Sequence, residues 1–232
     1  MNLISVIIPV YNEERTILQI LEKINKTKIN EKLEIIIIND GSTDNSKKII
    51  EENSHLYHSI NHFDQNFGKG KAIIEGLKIS TGDFIFFQDA DLEYDPQDLI
   101  SFIDTVKENK ADLVMGSRFI AEKRSVLHFW HMLGNKIITF FFNILNNTTF
   151  TDIYCCYLLF KKDNLNLNKL SCVGWGQQAE ILTYLVTNSN KIYENAVRYN
   201  GRKYSEGKKI RFYHVIEVFY WIIFTKLKTL VK

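Results

Sequence analysis

The chain has 232 residues, 45% of them hydrophobic and 24% charged, with a formal net charge of +2. That length suits one large α/β domain or a domain with an appendage, and that apolar content excludes a globally disordered chain. Three cysteines, two of them adjacent at Cys155 and Cys156, exclude a disulfide framework and point to a reducing compartment, while the balanced net charge gives no reason to expect a nucleic-acid partner. Met1 runs into an apolar strand with no basic n-region or cleavage site, so no secretory leader is expected.

The run Leu3–Val10 is β-branched and predicts a buried first strand, ending in Pro9, Val10, Tyr11, Asn12 and Glu13. The period then turns helical, with Ile17, Ile20, Leu21 and Ile24 on one face. Leu33–Asn39 predicts a second buried strand. It stops at the turn Asp40-Gly41-Ser42-Thr43-Asp44, whose Ser and Asp are placed to cap the next helix. Leu56–Asn61 reads as a weaker third strand. Asn66-Phe67-Gly68-Lys69-Gly70-Lys71 reads as a flexible basic loop opening the helix Ala72–Ile79, without the spacing of a P-loop.

The next stretch, Asp83 to Pro96, organises the rest. Its apolar run Phe84-Ile85-Phe86-Phe87 predicts a central strand, and it ends in Asp89-Ala90-Asp91 and then Glu93. Strand side chains alternate faces, so Asp89 and Asp91 point the same way, with Ala90 opposite, and repel each other unless a cation lies between them. Mg²⁺ or Mn²⁺ prefers such hard oxygen ligands together with substrate phosphates, and Glu93 could be a third ligand, directly or through water. The blander reading is that the two aspartates end a strand and cap the following helix. That helix runs from Pro96 to about Lys110, before a fifth strand, Asp112–Gly116, that ends at Ser117 and Arg118.

Strands alternating with helices predict a parallel, doubly wound sheet, in which ligands bind beyond the carboxyl ends of the strands. The polar clusters Tyr11/Glu13, Asp40/Asp44, Asp89/Asp91 and Arg118 all fall at those ends. Farther on, Ser125–Leu145 and Phe212–Phe224 are apolar and aromatic. Both are interrupted by polar groups (Lys136 in one, Glu217 in the other) and fall short of the ~20 consecutive apolar residues of a span. They suit helices lying in a membrane interface. His128 and His131 share a helix face there, as packed or interfacial histidines rather than a metal site. From Arg198 to Lys232 nine Lys and Arg face two Glu, a balance of +7 that leaves −5 on the rest of the chain. Such a segment suits a phosphate-bearing ligand or an anionic membrane.

The pieces SVIIPVYNEE, IIIINDGSTDNS, NFGKGKAIIEGLKISTGD, Asp89-Ala90-Asp91 and GSRF at 116–119 together resemble family 2 glycosyltransferases. More narrowly, with LGNKIITFFFNIL, TDIYCCYLLFKK and YNGRKYSEGKKI, the chain resembles polyprenyl-phosphate sugar synthases of the dolichyl-phosphate mannose synthase type. The resemblance implies an α/β GT-A nucleotide-diphospho-sugar transferase fold, a mostly parallel sheet flanked by helices with a C-terminal amphipathic helix. It implies a glycosyltransferase domain over 1–211, divided into a nucleotide-sugar half (1–118) and an acceptor half (119–211), followed by a basic aromatic helix over 212–232. Pro9, Tyr11, Glu13, Ile38 and Asp40 would line the nucleotide pocket, and Asp89 and Ala90 would touch the sugar nucleotide. Asp89, Asp91 and Glu93 would hold Mg²⁺ or Mn²⁺, although close relatives often have Gln at the last position. Arg118, Arg202 and Lys208 would meet phosphates.

The implied activity transfers a sugar, with inversion, from a nucleotide-diphosphate sugar to a polyprenyl phosphate held by Arg118, Arg202, Lys136 and Lys208. It would take place at the cytoplasmic side of a membrane on which the protein is peripheral, with room for an integral-membrane protein partner. A phosphate is already ionised at neutral pH, whereas a sugar hydroxyl needs a general base. Gln177 and Gln178 stand where hydroxyl-directed relatives usually carry that base, and cannot serve; Asp152 or Glu180 could. A glycan or lipid-sugar hydroxyl therefore stays open as the alternative acceptor, and a nucleotide-sugar-binding protein without turnover is the third reading.

Overall fold

The computed structural model describes residues 1–121, 123, 125, 126, 129–201 and 212–230, the last span without the side chains of 212–214. Arg202 and Lys208, both expected to meet phosphates, lie outside the described residues, as does His128.

Seven strands form one sheet in the order β3-β2-β1-β4-β6-β5-β7. They are β1 (Leu3–Val10), β2 (Lys32–Asn39), β3 (Ser59–His62), β4 (Phe84–Phe87), β5 (Leu113–Ser117), β6 (Leu158–Lys161) and β7 (Ile192–Ala196). The helices are α1 (Ile17–Lys26), α2 (Ser46–Glu52), α3 (Lys69–Ile79), α4 (Leu99–Asn109), α5 (Phe129–Asn146), α6 (Gln177–Asn188) and α7 (Phe212–Leu230). β1 pairs in parallel with β2 and β4, β2 with β3, and β5 with β7. The sheet is mostly parallel, as expected, with one exception: β6 lies antiparallel between β4 and β5. A parallel neighbour needs a crossover, but β6 follows α5 and returns in the opposite direction, so it closes the gap between two strands that the βαβ pattern leaves apart.

The central strands are covered on both faces. Ile4, Val6, Ile7 and Ile8 of β1 and Ile35, Ile36, Ile37 and Ile38 of β2 are all buried, which is why those runs are continuously apolar. α3 packs on β1 and β2, and α4 packs on β5 and β7. The largest buried side chains gather near β4: Phe86, Phe102 and Tyr157 meet with ring centroids 4.8–6.1 Å apart, and Phe87 meets Phe160 edge-on at 5.6 Å. Each such side chain contributes about 1.5–3 kcal/mol by leaving water. α1 buries the four residues expected of it, Ile17, Ile20, Leu21 and Ile24.

The turn after β2 is held tightly. Gly41 has φ +66°, and a Cβ there would lie 2.3 Å from the carbonyl carbon of Gln65, whose segment crosses directly over it. Gly41→Ala is therefore expected to cost about 2–3 kcal/mol, from a left-handed residue with a side chain and from the displaced crossing segment. Urea unfolding checks this, and an unchanged midpoint removes the account of the crossing.

α5 and α7 pack side by side, with Phe141 edge-on to Phe219 at 4.9 Å. On α7, Val218, Ile222 and Thr225 face inward, while Ile216, Tyr220, Ile223, Leu227 and Leu230 are exposed at helical spacing. On α5, Phe129, Trp130, Ile137, Phe140 and Ile144 are likewise exposed, Trp130 at 77%. Among the described residues, no helix is long and apolar enough to cross a membrane.

Candidate functional site

The site forms where β1, β2, β4 and β5 end. The loops after β1 and β2 are laced together: Asn12 N donates to Ser42 Oγ (3.1 Å), Thr43 N to Asn12 Oδ1 (2.8 Å) and Glu13 N to Ser46 Oγ (2.8 Å). Asp44 accepts from Ser46 N (2.9 Å) and from Glu14 N (3.1 Å), while the N-cap position of α2 falls to Asn45, which makes no side-chain capping bond, so the expected cap by Ser or Asp is not formed. Glu13 Oε2 accepts from Thr16 Oγ1 at 2.8 Å. Tyr11 and Pro9 are partly exposed at this rim. Ile38 is not exposed at all: its side chain packs with Ile36 and Ala72 beneath α3, so any part it takes in a nucleotide pocket falls to its backbone.

Asp40 is buried, and its two oxygens accept from Phe67 N and Gly68 N, each at 2.8 Å. Burial pushes its carboxyl above the ordinary value, against those two N–H groups, which pull it down. Its visible work is to fold the segment over Gly41 and deliver the start of α3. There Lys69, in a loop read from sequence only as flexible and basic, reaches across to Asp89. Its ammonium makes a close ion pair with Asp89 Oδ1 and lies 3.5 Å from Cys156 Sγ. Burial works against its charge, yet Asp89, with Cys156 and Asp91 beyond, outweighs it and holds the amine protonated. The side chain remains half exposed to solvent.

β4 ends at Phe87, short of Asp89. The two-residue alternation expected to run from Asp89 through Glu93 therefore does not apply, and Leu92 takes φ +61° in the turn that follows. Ala90 is buried beneath this turn. Asp91 Oδ1 accepts from Glu93 N at 3.1 Å, and Glu93 Oε2 accepts from the Tyr199 hydroxyl at 2.8 Å. Burial first, then the neighbouring Glu93, raises the Tyr199 phenol and keeps it a donor. Among the described residues, no three His, Cys, Asp or Glu side chains are gathered as a metal shell, so the expected Asp89-Asp91-Glu93 set is not assembled as one. What the turn does offer is two hard carboxylates with a cation, the Lys69 ammonium, already against one of them. That donor set fits Mg²⁺ or Mn²⁺ taking its remaining ligands from a diphosphate and water.

Beyond the turn lies a second polar group. Asp152 is fully buried and takes Arg118 bidentately, from Nε at 2.6 Å and Nη2 at 2.9 Å, besides Arg118 N at 3.2 Å. Asn135 Nδ2 and Tyr154 N complete its shell at 2.9 and 3.2 Å. The Arg118 guanidinium lies 5.2 Å from the centre of the Tyr199 ring, and Tyr199 packs against Tyr94 at 5.0 Å. Lys136 is exposed on α5, next to Asn135. Glu180 is buried too, with Oε1 and Oε2 accepting from Ser171 N and Oγ and from Cys172 N at 2.9–3.1 Å. Gln178 donates to the Cys155 carbonyl at 3.0 Å, and Gln177 is buried at the first turn of α6. The three cysteines are free and buried, and burial pushes Cys172 up to about 12, so none is a poised thiolate.

The structure thus brings Asp89, Asp91, Glu93 and Arg118 to one rim and adds Lys69, Tyr199 and Asn135, which sequence reasoning missed. The signal for Lys69 was present: a lysine between two glycines at the start of a helix, facing strand ends.

Comparison with known proteins bears on this geometry. The family model for glycosyl transferase family 2 matches residues 5–166. An undecaprenyl-phosphate 4-deoxy-4-formamido-L-arabinose transferase of Proteus mirabilis is 36% identical over 114 residues, covering 46% of this chain and 34% of that protein. Glycosyltransferase GlyA of Streptococcus pneumoniae is 33% identical over 135 residues, 57% of this chain and 19% of its own length. The chain thus spans about a third of the first relative and about a fifth of the second. Among solved structures, Mycobacterium tuberculosis glucosyl-3-phosphoglycerate synthase in complex with Mn²⁺, UDP and phosphoglyceric acid superposes with a TM-score of 0.69 at 18% identity, over 98% of this chain and 78% of that one. Staphylococcus aureus TarS 1–349 in complex with UDP-GlcNAc superposes with a TM-score of 0.63 at 19% identity, over 94% and 65%. These likenesses show the fold, a seven-stranded mixed sheet flanked by helices of the GT-A kind. With a family model covering well over half of its length and the strand-end rim in place, the chain belongs to glycosyl transferase family 2.

Proposed function

We propose that this protein is a glycosyltransferase that moves a sugar, with inversion, from a nucleotide-diphosphate sugar to the phosphate of a polyprenyl lipid, with Mg²⁺ or Mn²⁺ at Asp89 and Asp91. The observation that carries the acceptor is the state of the two candidate bases. Asp152 is committed to Arg118, Asn135 and Tyr154 N, and Glu180 to Ser171 and Cys172, both in fully buried positions. A hydroxyl acceptor would need one of them to take a proton, whereas a phosphate monoester arrives already ionised. The Proteus relative, by its name, acts on undecaprenyl phosphate, which supports the same reading.

In this mechanism a phosphate oxygen of the lipid attacks the anomeric carbon. The bond from that carbon to the diphosphate breaks, and the electron pair leaves with the nucleoside diphosphate. Bound metal would neutralise charge developing on the departing diphosphate. Arg118, fixed in orientation by Asp152, would meet phosphate oxygens with a planar fork, and Lys136, Arg202 and Lys208 would add point or fork charges. Tyr11, Glu13, Asp40 and the backbone at Pro9 and Ile38 would receive the nucleotide. The exposed apolar faces of α5 and α7, with Lys226 and Lys228 on α7, would rest on the cytoplasmic surface of a membrane, where the lipid acceptor resides.

The test is transfer into butanol-extractable lipid. Protein, Mn²⁺ or Mg²⁺ and a short polyprenyl phosphate are incubated with labelled UDP- and GDP-sugars. Metal-dependent label in the lipid phase is expected. Metal-dependent release of nucleoside diphosphate without lipid label would move the acceptor to a hydroxyl, and absence of turnover with every donor would favour a binding protein.

A further inference from the structure

Lys69 is held in place from three directions. Asp40 fixes the two N–H groups just before it, at Phe67 and Gly68, and Gly68 itself turns at φ +95°. On the other side, a Cβ at Gly70 would lie 2.5 Å from the Val173 carbonyl oxygen, so the first turn of α3 is pressed between the 40–41 turn and the loop before α6. The backbone is thereby committed to presenting Lys69 to the strand ends. The side chain is not trapped: half of it remains exposed, and a lysine stem rotates freely about its carbon–carbon bonds.

We propose that Lys69 is a built-in counter-ion that holds Asp89 in the donor-free enzyme and yields it only when a nucleoside diphosphate arrives, so that metal and donor bind together. This rests on the reading of Asp89 and Asp91 as metal ligands. An ammonium against Asp89 satisfies that carboxylate and repels an incoming dication. A diphosphate changes both terms at once: it offers the ammonium another anionic partner and offers the metal further oxygen ligands. Because binding free energies are reciprocal, a nucleotide that tightens metal binding is itself tightened by the metal, and both effects pass through Lys69. Metal bound without donor would be a wasted or misdirected Lewis acid; the lysine keeps Asp89 paired until there is a diphosphate to act on.

The experiment measures Mn²⁺ binding by the loss of free-Mn²⁺ EPR signal, on the whole chain, alone and with UDP or GDP. Wild type is expected to bind Mn²⁺ weakly alone and at least about tenfold more tightly with the nucleotide its site accepts, a coupling of ordinary size. Lys69→Met is expected to bind Mn²⁺ alone about tenfold more tightly than wild type, with most of the nucleotide effect gone. Lys69→Gln should behave like Lys69→Met, and Lys69→Arg, which keeps the charge, like wild type. Equal Mn²⁺ affinity of wild type and both folded neutral variants without nucleotide overturns the proposal while leaving the metal site standing. Release of the block in Lys69→Arg also overturns it. Absence of Mn²⁺ binding by every protein, with or without nucleotide, overturns the proposal together with the metal reading.

Discussion

Asp91→Asn is expected to lower sugar transfer by at least a factor of about 10²–10³, the range seen when one preorganised electrostatic group is removed from a site where charge develops. The fold should survive. The structural duty of Asp91 visible in the turn is to accept from Glu93 N through Oδ1, and asparagine keeps an oxygen able to do the same. What asparagine lacks is the charge that makes the position useful to a divalent cation. It offers a weaker oxygen on one side and an NH₂ group on the other. Thermal unfolding alongside the butanol-extraction assay separates the two effects. A folded Asp91→Asn protein with near-normal turnover would remove Asp91 from the metal site and leave the Asp89–Lys69 pair as a purely internal salt bridge. Asp89→Asn is a less clean probe, because it also releases the Lys69 ammonium from its partner.

How much of this could be read from the residues depends on whether the feature is periodic or made by tertiary contact. β1, β2 and α1 were legible because burial on both strand faces, or on one helix stripe, writes itself into the sequence as a run or a 3.6-residue repeat. The four polar strand ends were legible for the same reason, since a strand's end is where its apolar run stops. β6 was not: four residues in antiparallel pairing, inside the apolar stretch around Cys155 and Cys156, carry no period of their own. β7 is an edge strand with partly exposed Tyr193 and Glu194, and so lacks the signature of a buried one.

The geometry of Asp89, Asp91 and Glu93 was misjudged because alternation was extended past Phe87, and nothing in the residue types announces that Leu92 takes positive φ. Lys69 and Tyr199 were missed because they meet Asp89 and Glu93 from 20 and 106 positions away. Arg118 and Asp152 were each singled out, but for separate duties. That they form one buried pair is a fact of packing.

That pair supports the other large expected effect. Arg118→Met leaves the fully buried Asp152 carboxylate without its charge partner, and should destabilise the protein by about 3–5 kcal/mol. Asp152→Leu strands the guanidinium, only 14% exposed, and takes away the acceptor of Asn135 Nδ2; the Oδ1 of Asn135 is already buried with no partner among the described residues, so a similar loss is expected. The double variant, Arg118→Met with Asp152→Leu, removes both charges and should recover much of the loss, since a buried ion pair replaced by apolar groups of similar volume is often close to neutral. Urea unfolding of the four proteins gives the coupling energy directly. Single losses below about 1 kcal/mol would show the pair to be solvated enough to contribute little, against its burial. The double variant then answers the functional question. If it folds and transfers no sugar, Arg118 acts on the phosphates in its own right, and Asp152 is the residue that aims it. If it folds and transfers normally, Arg118 is a structural cation, and the work of meeting phosphate falls to Lys136, Arg202 and Lys208.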